Sequence, residues 1–149
     1  MRLRLREVGA AVVVCLMAAA CDESLSDLAG PTPNLEPTLS SIQREIFDTT
    51  DATGRLACTQ CHSAAGGRPA GLDLTSGNSY ANLVGVASRE RPTLQRVSIG
   101  DPENSYIIHK LEGRQGIVGV RMPRGNGPFL TEGQLLVIKR WIALGAQND

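Results

Sequence analysis

The run Cys58-Thr59-Gln60-Cys61-His62 constrains this chain more than any other feature of it. The other two of its four cysteines, Cys15 and Cys21, stand near the N-terminus, so this run holds the pair left for a folded domain. Two thiols make no disulfide framework, and an imidazole directly after them has no part in one. The motif asks for a chemistry in which two sulfurs and a ring nitrogen act on one object.

The N-terminus says where that object is met. Arg2, Arg4 and Arg6 make a basic start, Val8 to Ala20 is uncharged and apolar, and Ala18-Ala19-Ala20 ends the stretch in small residues. This pattern predicts an export signal over residues 1–20, too short to span a bilayer, which takes about 20 apolar residues. With Cys21 next, the stretch resembles a bacterial lipoprotein signal, in which that cysteine becomes the lipidated first residue and reaches the membrane surface. Ala18 stands where such signals usually carry Leu, which keeps ordinary cleavage near Ala20 as the alternative. Residues 21–38 hold Pro31, Pro33 and Pro37 without apolar periodicity and read as a tether, extended at about 3.1 Å per residue. Losing residues 1–20 removes three arginines and one glutamate from a balanced chain and leaves it slightly acidic. A nucleic-acid binder would need a clustered basic excess, so that class is set aside.

Residues 39–149 are the remaining domain. Two Phe, two Tyr and one Trp supply little aromatic bulk, while 16 Gly and 8 Pro demand much loop. A large apolar cofactor filling the core would account for both, although a small aliphatic helical domain has the same composition. The patterning predicts an all-α fold of four short helices. Ser40 and Gln43 have capping-box spacing ahead of Ile42, Ile46 and Phe47, in a helix ending near Thr50. Asn78 to Val84 forms a short second helix with Leu83 and Val84 inward, closed by Gly85. Asp101 caps a third, with Pro102 in its first position, Ile107, Ile108 and Leu111 as its buried stripe and Gly113 as its stop. In the last, Thr131 and Gln134 form a capping box, Leu130 and Leu135 a staple, and Leu135, Ile138, Trp141 and Ile142 one face before Gly145.

Two thiols separated by two residues can add to the two vinyl groups along one haem edge, and the following His62 then lies under the iron as an axial ligand. Zinc would need further thiolates or imidazoles, and His109 is the one other histidine. A thioredoxin-like pair belongs in a βαβ context and has no use for the histidine. Haem c attached through Cys58 and Cys61 is the expectation. For the opposite face, Met122 is the candidate: it is the one methionine beyond residue 20, in the glycine-rich loop Gly116 to Gly127. His109, on the third helix, is its rival. Arg96, Arg121 and Arg124 are candidates to pair with haem propionates or with an acidic partner.

Taken with Ile46-Phe47, Gly71-Leu72-Asp73-Leu74, Gly100 to Tyr106, Met122-Pro123 and Trp141 to Ala146, the motif resembles class I cytochromes c over residues 40–147. It is most similar to the planctomycete-type cytochrome-c-like domains of exported bacterial proteins. That resemblance implies a haem-wrapping fold with first and last helices crossing, His62 proximal and Met122 distal. It also implies a backbone carbonyl in the Gly67 to Gly71 loop, at Pro69, as acceptor for the His62 ring. The segment Ser63 to Arg121 is longer than in the simplest members. The expected function is one-electron transfer between redox partner proteins on the periplasmic side of a membrane, with no substrate turned over. Two alternatives stand: a gas- or peroxide-reactive protein with a labile Met122, and a cytochrome subunit of a larger dehydrogenase.

Overall fold

A computed structural model describes residues 35–125 and 127–149. The export signal and most of the tether, including Cys21, lie outside the described residues. Within the tether's expected span, Leu35 already packs on the core and the Glu36 N–H donates to Ser41 Oγ at 3.0 Å.

The first helix starts earlier than its sequence suggests. Thr38, extended at φ −124°, accepts the Ser41 N–H on its hydroxyl and opens α1 (Leu39–Ile42). Ser40, expected to cap, instead donates to Asp149 Oδ2 at 3.2 Å, while Asp149 Oδ1 takes the Leu39 N–H at 2.7 Å. Thr38 is thus the local cap, two residues earlier than Ser40, and Asp149 adds a second capping oxygen from a side chain distant in sequence, which local spacing does not reveal. The helix then runs into a wide π turn, Gln43–Phe47, and closes on Asp48 rather than near Thr50. A π turn holds an extra residue, and here Ile42, Ile46 and Phe47 are all buried.

The second helix, α2 (Ser79–Leu83), is shorter than expected: Asn78 makes no side-chain cap, and Val84 is extended and half-buried, bridging to Val97. Asp101 and Pro102 do not begin the third helix. Asp101 folds a turn on itself, accepting the Asn104 N–H at 3.1 Å, and the Ser105 hydroxyl donates to the Asp101 carbonyl at 2.8 Å. These local bonds compete with helix formation, so α3 (Tyr106–Glu112) begins beyond Ser105 and stops at Gly113, whose φ is +71°. Ile108 and Leu111 are buried as expected; Ile107 is half-buried. Both arms of the capping box are present at α4 (Glu132–Ala143), where Thr131 and Gln134 exchange bonds of 3.0 and 3.2 Å.

Packing follows from these faces. Both α1 and α3 pack against α4, and Ile42, Ile46, Phe47, Leu83, Ile108, Ile138, Trp141 and Ile142 share one core. Trp141 fills the largest share of it and satisfies its indole N–H on the Gln147 carbonyl at 2.9 Å, as a buried indole requires. The described residues form four helices and long loops with isolated bridges but no strand; none of these helices is long and apolar enough to cross a membrane.

Candidate functional site

Cys58, Cys61, His62 and Met122 line one cavity of about 290 Å³. Its walls are mainly apolar, with Ile46, Leu74, Leu83, Leu111, Leu130 and Ile138 drawn from every part of the core.

The half bearing the cysteines hangs from the end of the π turn. Cys58–Gln60 forms a 3-10 turn whose Cys58 carbonyl accepts from Cys61 N–H at 3.2 Å and His62 N–H at 2.9 Å. The Thr59 hydroxyl donates to the Phe47 carbonyl at 3.1 Å, and the Cys58 thiol approaches the Ile46 carbonyl at 3.7 Å. Behind this contact lies Arg55, fully buried, which pairs with Asp51 at 3.0 Å and donates to the carbonyls of Ile46, Thr49 and Leu56. Gly66 lies against the other side: a Cβ there would meet the Cys61 carbonyl oxygen at 2.3 Å. Neither residue was singled out from sequence, although the Asp51/Arg55 spacing and the Gly66-Gly67 pair flank the motif.

His62 is half-buried, and burial lowers its pKa below the usual imidazole value while the Leu72 backbone acts in the opposite sense. The ring is therefore mainly neutral at pH 7, with a lone pair to give. Its Nδ1 is buried without a hydrogen bond. The expected acceptor, the Pro69 carbonyl, accepts the Leu72 N–H at 3.1 Å and makes no bond to Nδ1, and Leu72 is the backbone group beside the ring.

The opposite half hangs from the end of α3. Met122 donates its N–H to the Lys110 carbonyl at 2.9 Å, and the Arg121 Nε donates to the Leu111 carbonyl at 2.7 Å. These bonds cap carbonyls that a helix C-terminus leaves without partners. The Arg121 guanidinium also lies 4.0 Å from the Phe129 ring centre. His109 is off the cavity, its Nε2 at 2.7 Å from the Glu103 carbonyl.

One stretch of wall is polar. The loop from Gly85 to Val97 docks on the start of α3 through Gln95 and Arg96 carbonyls and brings Glu90 within 3.2 Å of Lys110 Nζ and 2.9 Å of the Tyr106 hydroxyl. Arg96, 8% exposed, borders the cavity and donates to the carbonyls of Asn82 at 2.8 Å and Ala70 at 2.9 Å. Burial and then the neighbouring Arg89 charge depress its pKa. Of the three arginines singled out in the sequence, Arg96 lies on the wall, Arg124 is exposed at the rim, and Arg121 is engaged in the Met122 loop.

Burial pushes the Cys58 thiol up to about 11, with the Arg55 charge opposing, so Cys58 is not held as a low-pKa thiolate of the kind that attacks in redox pairs. Nor do the described residues contain a group of three or more His, Cys, Asp or Glu arranged to hold a metal ion. The donor set suits a large apolar group with a few polar substituents: two thiols, an imidazole and a thioether share an apolar lining with Arg96 and the Lys110/Glu90 pair. No family model matches the chain, and no curated protein or solved structure matches it significantly.

Proposed function

We propose that the chain is an exported mono-haem c-type cytochrome that passes single electrons between redox partner proteins. The observation that carries this reading is the meeting of Met122 with the Cys58–His62 run, 60 residues before it, on one mainly apolar cavity. Haem bound there would supply a ferrous/ferric couple. Cys58 and Cys61 would hold it by adding their S–H bonds across two vinyl groups. His62 offers a neutral nitrogen from the motif, and Met122 a neutral sulfur from the loop before α4; a thioether favours the reduced iron more than a second imidazole does. Ile46, Leu74, Leu111 and Ile138 exclude water, and Arg96 and Lys110 offer positive charge to propionates. The packing of α1 on α4 fits a cytochrome c fold. Lipidated Cys21 would keep the domain on the periplasmic side of a bacterial membrane, raising its concentration near membrane-bound partners.

The test is the absorption spectrum of protein made in a host that attaches c-type haem. Wild type shows thioether-linked haem and the thioether-to-ferric charge-transfer band; Met122→Ala keeps the haem and loses the band. Protein without covalent haem sinks the reading, and an unchanged Met122→Ala spectrum removes Met122 from the iron.

A further inference from the structure

We propose that Arg121 is a positioning residue that holds Met122 over the cavity, through a strap joining α3 to the segment before α4. The inference rests on the reading of Met122 as an iron ligand. Three contacts carry it. The Arg121 stem crosses Gly113, where a Cβ would come within 3.0 Å of its Cδ, so the glycine that stops α3 also leaves the groove in which Arg121 lies. Its Nε donates to the Leu111 carbonyl at 2.7 Å, a charge-assisted bond to a helix C-terminus, the end that attracts cations. Its guanidinium stacks at 4.0 Å over Phe129, which immediately precedes buried Leu130 and the cap of α4.

Among the described residues Met122 makes one backbone bond, to the Lys110 carbonyl at 2.9 Å, and the other anchors of its glycine-rich loop lie further back, at Gly116 and Val118. So few bonds near Met122 leave that end of the loop able to open locally. Arg121 adds a second attachment one residue away and links it to the opposite bank of the loop. The chemistry is specific to arginine: a planar, permanently charged group with an Nε donor can bond a carbonyl and stack on a ring at once, which lysine cannot.

The experiment uses wild-type holoprotein and the variants Arg121→Ala, Arg121→Lys, Phe129→Leu and Arg121→Ala/Phe129→Leu. It reads the thioether-to-ferric charge-transfer band and the rate at which the ferrous protein binds carbon monoxide, which needs the distal ligand to leave first. A residue with only a structural role would change melting temperature and leave both readouts alone. We expect Arg121→Ala to keep covalent haem, weaken the band and bind carbon monoxide about tenfold faster, the scale of losing one charge-assisted bond from a local equilibrium. Arg121→Lys restores little, Phe129→Leu gives a smaller change of the same sign, and the double variant is no worse than Arg121→Ala, as for two groups in one strap. Unchanged band and rate in Arg121→Ala overturn the proposal, as does full rescue by lysine. If Arg121→Ala does not fold, Phe129→Leu decides: faster binding supports the strap, and wild-type behaviour overturns it. Wild-type protein lacking haem, or lacking the band, removes the underlying reading before any variant is compared.

Discussion

Gly66 lies so close to the Cys58–His62 run that any side chain would strike backbone: the nearest atoms are the carbonyl oxygens of Cys61 and Gln60, at 2.3 and 2.4 Å from a Cβ. A flexible side chain could move aside; these carbonyls cannot without shifting both cysteines. Gly67, at φ +84°, meets nothing within 4 Å, so alanine there carries only the left-handed backbone cost of about 1–2 kcal/mol. Gly66→Ala should therefore destabilise the protein more than Gly67→Ala, beyond the roughly 1–3 kcal/mol typical of overpacking, and lower the yield of attached haem. Urea midpoints and haem content measured side by side check this, and equal losses would show the close approach to be unimportant. The contrast also shows what a sequence reveals at this scale. Cys58, Cys61 and His62 are legible because their chemistry is contiguous; the need for glycine at 66 arises from a backbone contact, which leaves no mark in residue type beyond a Gly-Gly pair.

Both halves of the site are built alike, on carbonyls at the C-terminal end of a helix. The π turn offers Ile46 and Phe47 to Arg55, Cys58 and Thr59; α3 offers Lys110 and Leu111 to Met122 and Arg121. Helix ends carry unpartnered acceptors, and the loops that follow supply the donors that satisfy them. Asp51 and Arg55 hold the first of these anchors. Burial would raise the Asp51 pKa, but the Thr53 hydroxyl, the backbone N–H groups of Arg55 and Thr53 and the Arg55 charge together bring it below the usual carboxylate range. The stabilisation is then complete above the unfolded carboxylate pKa and is lost as pH falls through the lower folded value. Asp51→Ala leaves Arg55 buried without its counter-charge and should cost on the order of 3 kcal/mol at pH 7, with the gap to wild type closing as pH is taken from 5 towards 2. Denaturant midpoints across that range test it, and a gap independent of pH would assign the loss to something other than the ion pair. The Thr131/Gln134 box at α4 was legible because both partners are near neighbours; α1 began at Thr38, with Asp149 taking the Ser40 hydroxyl, and α3 began later because Ser105 diverts it. The π turn has no pattern of its own, since it depends on what binds the carbonyls it exposes.

At the scale of the whole molecule, the cavity wall combines the end of the π turn, the 56–74 loops, α2, the polar 88–96 loop, α3 with the Met122 loop, and α4. The sparse aromatic content is what a cofactor-filled core or a small aliphatic domain would both show; the source of the polar wall did not show, because Glu90, Arg96 and Lys110 meet only through the bridged loop that docks on α3. A core built this way should depend on its occupant. Left without an apolar occupant, the walls of a cavity of roughly 290 Å³ lose packing partners across it, which lowers the stability of the whole fold. Hence Cys58→Ser/Cys61→Ser protein prepared without haem should be marginally folded. It should keep much of its far-ultraviolet helix signal, lose the near-ultraviolet signal of Trp141, and bind a hydrophobic dye. Restoring haem to this variant should bring the tertiary signal back without covalent attachment, because His62, Met122 and the apolar walls remain. A haem-free variant with the denaturant midpoint of the wild-type holoprotein would show that the side chains complete the core by themselves.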